Sequence, residues 1–354
     1  MMTLRLLSSG PGTVPQATAW YLADLGEARG KQELFTRQAP QQLKVLREHA
    51  LIESAVSSNR IEGVTVDQKR IATLVFGRSK LRDRSEEEVR GYRDALRLIH
   101  ERRKGLRVSE RTVRRLHRLT RGEIWDAGRY KEKDVDVIEK RKDGSARVRF
   151  RSVPASHTPA FMAETLESWN RGLKERWTHP LILLAASNLD FLCVHPFRDG
   201  NGRVSRLLLL LQSYHLGYEV GRYISLERLI EQNRERYYET LESSSRGWHG
   251  GRHDPWPYIN FLLYVLKAAY REFEERVGRT RSPRGAKADL VRQAVRGQEG
   301  DFRLVDIERA CPGVGREWIR RLLAEMKRAG EVACSGRGPA ARWRRRAGKG
   351  TTRK

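Results

Sequence analysis

The sequence predicts a mainly α-helical protein with one β-hairpin set among its helices and a basic helical module at its C-terminal end. Three observations carry that reading. Most of the chain repeats apolar residues at helical spacing, whereas Asp134–Ile138 and Arg147–Arg151 alternate with period two. A charged run without apolar period, Gly278 to Gly285, divides the chain near residue 280. Three short helical segments follow it.

Taken in order, residues 1 to 30 carry turn residues and no sustained period, so they read as an arm with one short helix around Trp20 to Leu25. From Pro40, a favourable first helical residue, Leu43, Leu46, Ala50 and Glu53 recur at helical spacing beside Val45, Ile52 and Val56. This helix stops near Gly63, and it places Ser58 and Glu62 four apart on one face. Ser85 and Glu88 form a capping box that opens a helix through Ile99, stopping at Gly105, and Ser109 caps another through Leu119. Both read as scaffold. Asp143-Gly144 is the turn signal of the hairpin, whose Arg147, Arg149 and Arg151 suit either acidic targets or a solvated face. Two apolar helices, Pro180–Val194 and Gly202–Leu216, lead to an apolar helix over Trp256–Tyr270 that closes the domain. Beyond the linker come Ala288–Val295, Leu304–Ala310 and Arg316–Ala329, then a Gly-rich segment with Trp343.

The chain has 354 residues, enough for two or three domains with a sizeable core. Its net charge of +26 favours acidic partners such as nucleotides or nucleic acid. Cys193, Cys311 and Cys334 are an odd number at wide spacing, so neither a disulfide framework nor a zinc cluster is expected. The first residues are too short and broken for a secretory signal, and the most apolar run, Pro180 to Leu189, falls short of a membrane span. A cytoplasmic protein without membrane contact is the expectation.

Between the two apolar helices lies His195-Pro196-Phe197-Arg198-Asp199-Gly200-Asn201-Gly202-Arg203-Val204-Ser205-Arg206. Gly200 and Gly202 let backbone N–H groups approach a ligand where a helix begins, and such an end binds phosphate. Arg203 and Arg206, three apart, share a face and suit one polyphosphate. Asp199 is an oxygen ligand of the kind Mg²⁺ takes alongside substrate phosphates. His195 is the group able to move a proton near neutral pH.

This string resembles the signature of the Fic family, with His195, Pro196, Phe197, Asp199, Gly200, Asn201, Gly202, Arg203 and Arg206 on its fixed positions. The resemblance implies transfer of AMP from ATP, with Mg²⁺, onto a Ser, Thr or Tyr hydroxyl of a target protein or of the chain itself. His195 would be the base, Asp199 the metal ligand, and Gly200, Asn201, Gly202, Arg203 and Arg206 the phosphate site. Ser58, Glu62 and Gly63 match the family's inhibitory motif, which implies that Glu62 holds the enzyme down by pairing with Arg206. The hairpin resembles the family's flap, whose edge can take an extended target segment. Tyr237 and Tyr238 resemble the paired tyrosines of the family's adenine pocket, although Ser245 stands where the pattern often has Asn.

The implied organisation is an N-terminal helical region with the inhibitory helix over 1–105, a catalytic core over 106–278, and a module over 279–354 that resembles a winged helix-turn-helix. Residues 285–354 hold 18 Lys+Arg against 8 Asp+Glu. Arg316, Arg320, Arg321, Lys327 and Arg328 would line a recognition helix, and no acidic residue follows Arg337. DNA binding and homodimerisation are both compatible with that module. Two alternatives accompany adenylyl transfer: removal of AMP or transfer of another nucleoside monophosphate, and a DNA-binding regulator that uses the core as a nucleotide sensor.

Overall fold

The computed structural model of the chain describes residues 2–345 apart from 11, 39, 78–79, 103–104, 141–144, 279–285, 297, 299, 312–313, 337 and 339–340. The turn signal Asp143-Gly144, most of the linker and much of the basic tail lie outside the described residues. The chain divides into two compact units, Met1–Glu275 and Arg276–Lys354.

The first unit runs α1 (Thr3–Ser8), α2 (Gln16–Gln38), α3 (Pro40–Ile61), α4 (Gln68–Phe76), α5 (Arg84–Arg102), α6 (Glu110–Arg121), β1 (Asp136–Lys140), β2 (Ala146–Arg151), α7 (Thr158–Glu175), α8 (Pro180–Val194), α9 (Asn201–His215), α10 (Leu226–Gln232), α11 (Arg234–Ser245) and α12 (Trp256–Gly278). At its centre lies α8, where every residue from Leu181 to Val194 is buried. A helix apolar on all sides belongs in a core, and α8 packs against α7, α9, α1 and α11. Helix α9 is buried along nearly its whole length, with α5, α6 and α3 against it. The 194–201 junction is therefore held between two immobilised helices.

The N-terminal segment departs from expectation. Instead of an arm with one short helix, it contains α1 and a 23-residue α2. Helix α2 has no apolar stripe for periodicity to reveal: Leu25 is buried but Trp20 is 67% exposed. Polar pairs fasten it, including Thr18 Oγ1 to Asn260 Oδ1 at 2.7 Å and Lys267 Nζ to Asp24 Oδ2 at 2.5 Å. Helix α1 is held by a carboxylate, because the backbone N–H groups of Thr3 and Leu4 each donate at 2.8 Å to the buried Asp190 of α8, which also accepts from Trp248 Nε1 at 2.7 Å.

A second correction concerns α5. Its cap is Asp83, whose Oδ1 accepts from Glu86 N at 2.9 Å, so Ser85 lies inside the first turn and the capping box does not form. The hairpin β1–β2 is antiparallel, pairing Val137 with Phe150 and Ile138 with Val148, so a bulge falls between Val137 and Ile138.

The second unit orders α13 (Ala286–Arg296), α14 (Leu304–Ala310), α15 (Arg316–Arg328), β3 (Val332–Ser335) and β4 (Arg342–Arg345). Its own core joins Val291, Val295, Phe302, Ile307, Ile319, Leu323 and Val332. Phe302 bonds both ways to Trp343 across an added bridge, at 2.8 and 2.7 Å. No helix among the described residues is long and apolar enough to cross a membrane.

Candidate active site

His195 is the residue that ends α8, with φ 50° and ψ 61°. Only Arg176 shares that left-handed backbone among the described non-glycine residues. A side chain in this region costs of order 1–3 kcal/mol and persists only where the surroundings over-determine it. Here they do. Asn201 accepts from Phe197 N at 2.9 Å and donates to Phe197 O at 2.7 Å, which closes the loop on itself. Phe197 stacks on His117 of α6 at a centroid distance of 3.7 Å. The His117 ring is neutral, since burial pulls it down to about 4. Gly128 N–H donates to its Nδ1 at 2.8 Å, so Nε2 carries the proton and donates to Asp199 O at 2.9 Å.

Burial pushes the His195 imidazole down to about 4, and the Lys131 ammonium acts in the same direction against the Leu192 carbonyl, Glu62 and Asp199. At neutral pH it is therefore a free base. His195, Gly202, Glu62, Gly63, Tyr237 and Tyr238 line one cavity of about 1020 Å³, roofed by Val137, Ile138, Arg149 and Phe150 of the hairpin. That is ample for a nucleotide.

Helix α9 begins at Asn201, so the N–H groups of its first turn point outward without intrahelical partners. A carboxylate already stands there. A β-carbon built on Gly202 would come within 2.2 Å of Glu62 Oε1, so Gly202 is where glycine is required for an anion to approach. Glu62 reaches this point because α3 ends at Ile61 and Gly63, at φ +83°, turns the chain away.

Both motif arginines are buried, 2% exposed for Arg203 and 3% for Arg206. Arg206 Nη2 donates to Glu62 Oε1 at 2.7 Å and to Ser58 O at 2.9 Å, and Nε donates to Ser58 Oγ at 2.9 Å. Burial opposes its charge, but Glu62 raises its proton affinity further, so it stays a cation. Its Nη1 is buried without a hydrogen-bond partner. It lies 3.2 Å from where a β-carbon on Gly202 would stand, at the start of α9. Arg203 instead faces inward, its Nη1 2.7 Å from Glu88 Oε2 and its Nη2 3.8 Å from Asp199 Oδ2.

Asp199 Oδ2 accepts from Arg121 Nη1 at 2.6 Å and Oδ1 from Gly200 N at 2.5 Å. Burial would raise this carboxyl, but Arg121 and Arg203 hold it below its usual range. Its side chain is still 58% exposed, so a half-open carboxylate is on offer to a cation. No group of three or more metal-ligating side chains occurs among the described residues. The arrangement suits a metal bound by one carboxylate and by phosphates, not a protein cage.

The structure thus gathers Glu62, Gly63, His195, Gly202, Tyr237 and Tyr238 about one cavity, with Ser58 and Arg206 buried against Glu62 and with Asp199 and Gly200 on the motif loop. The side-chain amide of Asn201 bonds to both Phe197 N and Phe197 O and so shapes the loop, while its backbone N–H is among those that open α9. Tyr237 is buried among Tyr258 and Phe261, whereas the half-buried Tyr238 has Arg149 5.0 Å from its ring centroid. Arg149 and Arg147 both bond to Glu242 of α11, Arg149 Nε at 3.0 Å, so these two hairpin cations engage the protein itself while Arg151 is exposed.

Sequence reasoning missed Glu88, His117, Arg121, Lys131 and Glu242. For α6 a signal exists: Val113, Leu116, His117, Thr120 and Arg121 form one buried stripe at i, i+3, i+4, i+7, i+8, so an imidazole and a guanidinium sit on the core face. Glu88 was legible only as part of a cap.

Residues 107–213 match the family model described as Fic/DOC family. A protein adenylyltransferase Fic of Nematostella vectensis is 25% identical over 222 residues, which cover 60% of this chain and 46% of that protein. One from Aedes aegypti is 30% identical over 96 residues, 27% of this chain and 17% of that protein. The chain thus spans less than half the length of these curated relatives. Among solved structures, a Fic family protein from Desulfovibrio desulfuricans superposes with a TM-score of 0.63 at 24% identity, covering 97% of this chain and 99% of that one. A Fic domain containing signaling protein from Bacteroides thetaiotaomicron gives 0.58 at 22%, covering 72% of this chain and 97% of that one. These two likenesses are ones of fold.

Proposed function

We propose, from the Fic/DOC family domain that the chain carries over residues 107–213, that it moves AMP from ATP to a Ser, Thr or Tyr hydroxyl of a target protein and of itself, and that Glu62 holds this activity down. The observation that carries the reading is the unprotonated His195 in the wall of a nucleotide-sized cavity, beside a helix start and the orphaned Nη1 of Arg206. The relatives' naming as adenylyltransferases supports the donor as ATP.

In this mechanism His195 takes the proton of the target hydroxyl as its oxygen bonds to the α-phosphorus. The bond from that phosphorus to the α,β-bridging oxygen breaks, and pyrophosphate leaves with the electron pair. The N–H groups opening α9 and Arg206 hold the phosphates, so positioning and preorganised charge supply most of the acceleration. Arg203 acts from behind, its charge set against Glu88 and Asp199. Asp199 would hold Mg²⁺, which when bound neutralises phosphate charge.

Glu62 stands where a phosphate oxygen would meet Gly202 and Arg206. Glu62 Oε1 fills the approach to Gly202 and takes Nη2 of Arg206, so a terminal phosphate reaches both only when Glu62 leaves. The test is incubation of the full chain and of Glu62→Gly with α-labelled ATP and lysate, read by intact mass and gel. Labelling that rises in the variant supports the reading. Equal labelling, with equal ATP affinity, overturns the regulatory part. A wild-type chain that strips a pre-labelled target assigns Glu62 to water activation and the protein to AMP removal.

A second reading concerns the C-terminal unit, where α15 exposes Arg320, Arg321, Lys327 and Arg328 and β4 exposes Arg342, Arg344 and Arg345. Helix, helix, helix and hairpin in that order suit a winged helix on duplex DNA. With about six phosphate contacts, affinity should fall on the order of 10³-fold between 50 and 200 mM salt. No binding at low salt would leave dimerisation or protein contact as the role of this face.

A further inference from the structure

Lys131 lies between Tyr130 and the hairpin, and it is 5% exposed. Its Nζ donates to Val194 O at 3.2 Å, and its backbone N–H donates to Pro196 O at 2.9 Å. These are the two carbonyls on either side of His195. The same Nζ donates to Ser152 Oγ at 2.7 Å, and Ser152 Oγ donates in turn to Val135 O. Val135 precedes β1 and Ser152 follows β2, so the open end of the hairpin is tied to the loop that carries the base.

We propose that Lys131 is the positioning residue for His195, clamping both flanking carbonyls so that the imidazole keeps its left-handed backbone and faces the cavity, and joining the hairpin to that loop. This rests on the adenylyl-transfer reading for its kinetic consequence alone.

An all-apolar wall would not place a lysine here, since burying an ammonium is unfavourable without partners. Burial pulls this one down to about 8, against the carboxylates of Asp134 and Asp136. Its charge then faces the imidazole. The charged groups facing His195 are Lys131 from this segment, Glu62 at the end of α3 and Asp199 on the motif loop; Lys131 alone disfavours a proton there, while both carboxylates favour one. Removing the ammonium should therefore raise the imidazole's proton affinity as well as loosen it. A base displaced by about 1 Å from its line of attack loses on the order of 10²-fold in rate.

The experiment uses the full chain as wild type, Lys131→Met, Lys131→Arg and Ser152→Ala, each checked for folding by circular dichroism and thermal melting. Carbon-13 labelled histidine follows the His195 titration by NMR, assigned with His195→Ala, and the pH profile of AMP transfer gives kcat and KM for ATP. In Lys131→Met, His195 should titrate at higher pH than in wild type and kcat should fall about 10²-fold at near-constant KM, with Lys131→Arg recovering most of both. A folded Lys131→Met with wild-type titration and kcat overturns the proposal, and so does Lys131→Arg behaving like Lys131→Met without a titration shift. Should Lys131→Met not fold, Ser152→Ala decides the coupling: kcat about tenfold lower with unchanged titration supports it, and unchanged kcat overturns it. If neither the wild-type chain nor Glu62→Gly transfers any AMP, the adenylyl-transfer reading falls and the titration alone judges Lys131.

Discussion

Arg203 and Arg206 sit one turn apart on α9, both nearly sealed from solvent, and each is paired with a glutamate, one within α5 and one just past the end of α3. Their partners differ in what surrounds them. Glu88, 7% exposed, comes from the body of α5 and is shared between Arg203 and Arg121, which in turn holds Asp199. Glu62, 30% exposed, comes from the last turn region of α3 and rests on a helix start that would take any anion. The first pair is enclosed, whereas the carboxylate of the second is partly open to solvent. Under the proposed function the first pair is a foundation and the second is the one a phosphate replaces, so the difference lies in whether the carboxylate has somewhere else to go.

The largest expected effect strikes both arginines' common purpose. His195→Ala should lower AMP transfer by about 10²–10⁴-fold with the fold retained; undiminished transfer by a folded variant removes His195 from the reaction. Next, Glu88→Gln should destabilise the protein by about 3–5 kcal/mol in denaturant unfolding, because it strands buried cations. A loss below about 1 kcal/mol would make the Arg203 pair no more essential than a surface one.

Glu62→Gly should act the other way, with little change in stability. If about 1% of molecules are open in wild type, its apparent ATP affinity rises roughly 100-fold in titration calorimetry. Glu53→Ala, on the same helix but paired with Arg228 at 3.1 Å, should leave that affinity unchanged. A matching rise there would show that loosening α3 anywhere suffices.

The smallest effect is on acid stability. His117 titrates at about 4 in the folded chain against 6.5 when unfolded, so the unfolded state takes up the proton first and stability falls as pH drops from about 6.5 to 4. His117→Asn should flatten that part of the profile by at most about 1.4 kcal/mol per pH unit. A slope identical to wild type would mean that His117 is protonated in the fold and that its tautomer is not the one assigned.

How far sequence carried the structure depended on whether an interaction was local. The motif and its flanking helices were legible because His195 to Arg206 is contiguous and α8 and α9 are continuous apolar runs. The Glu62–Arg206 contact was foreseeable only through the resemblance, since 144 residues separate its members. Glu88 was misread because the only neighbours visible in sequence were those of its own helix, where a cap explains a glutamate well enough. Asn201 was legible as part of the motif's backbone turn; that its side-chain amide folds back onto Phe197 is a matter of loop closure. Helix α2 was read only as a short helix around Trp20 to Leu25 because its anchors are single hydrogen bonds to distant helices, which leave no period.

Asp190 and His195 belong to the same rigid rod, five residues or about 7.5 Å apart along α8. The carboxylate of the first holds the opening amides of α1, while the second ends the helix at the cavity. Removing Thr3 and Leu4 would therefore leave a buried acid in the middle of the molecule with Trp248 in place of three donors. A change made some distance from the cavity would then be felt along α8 at His195, although no residue lining the cavity had been touched.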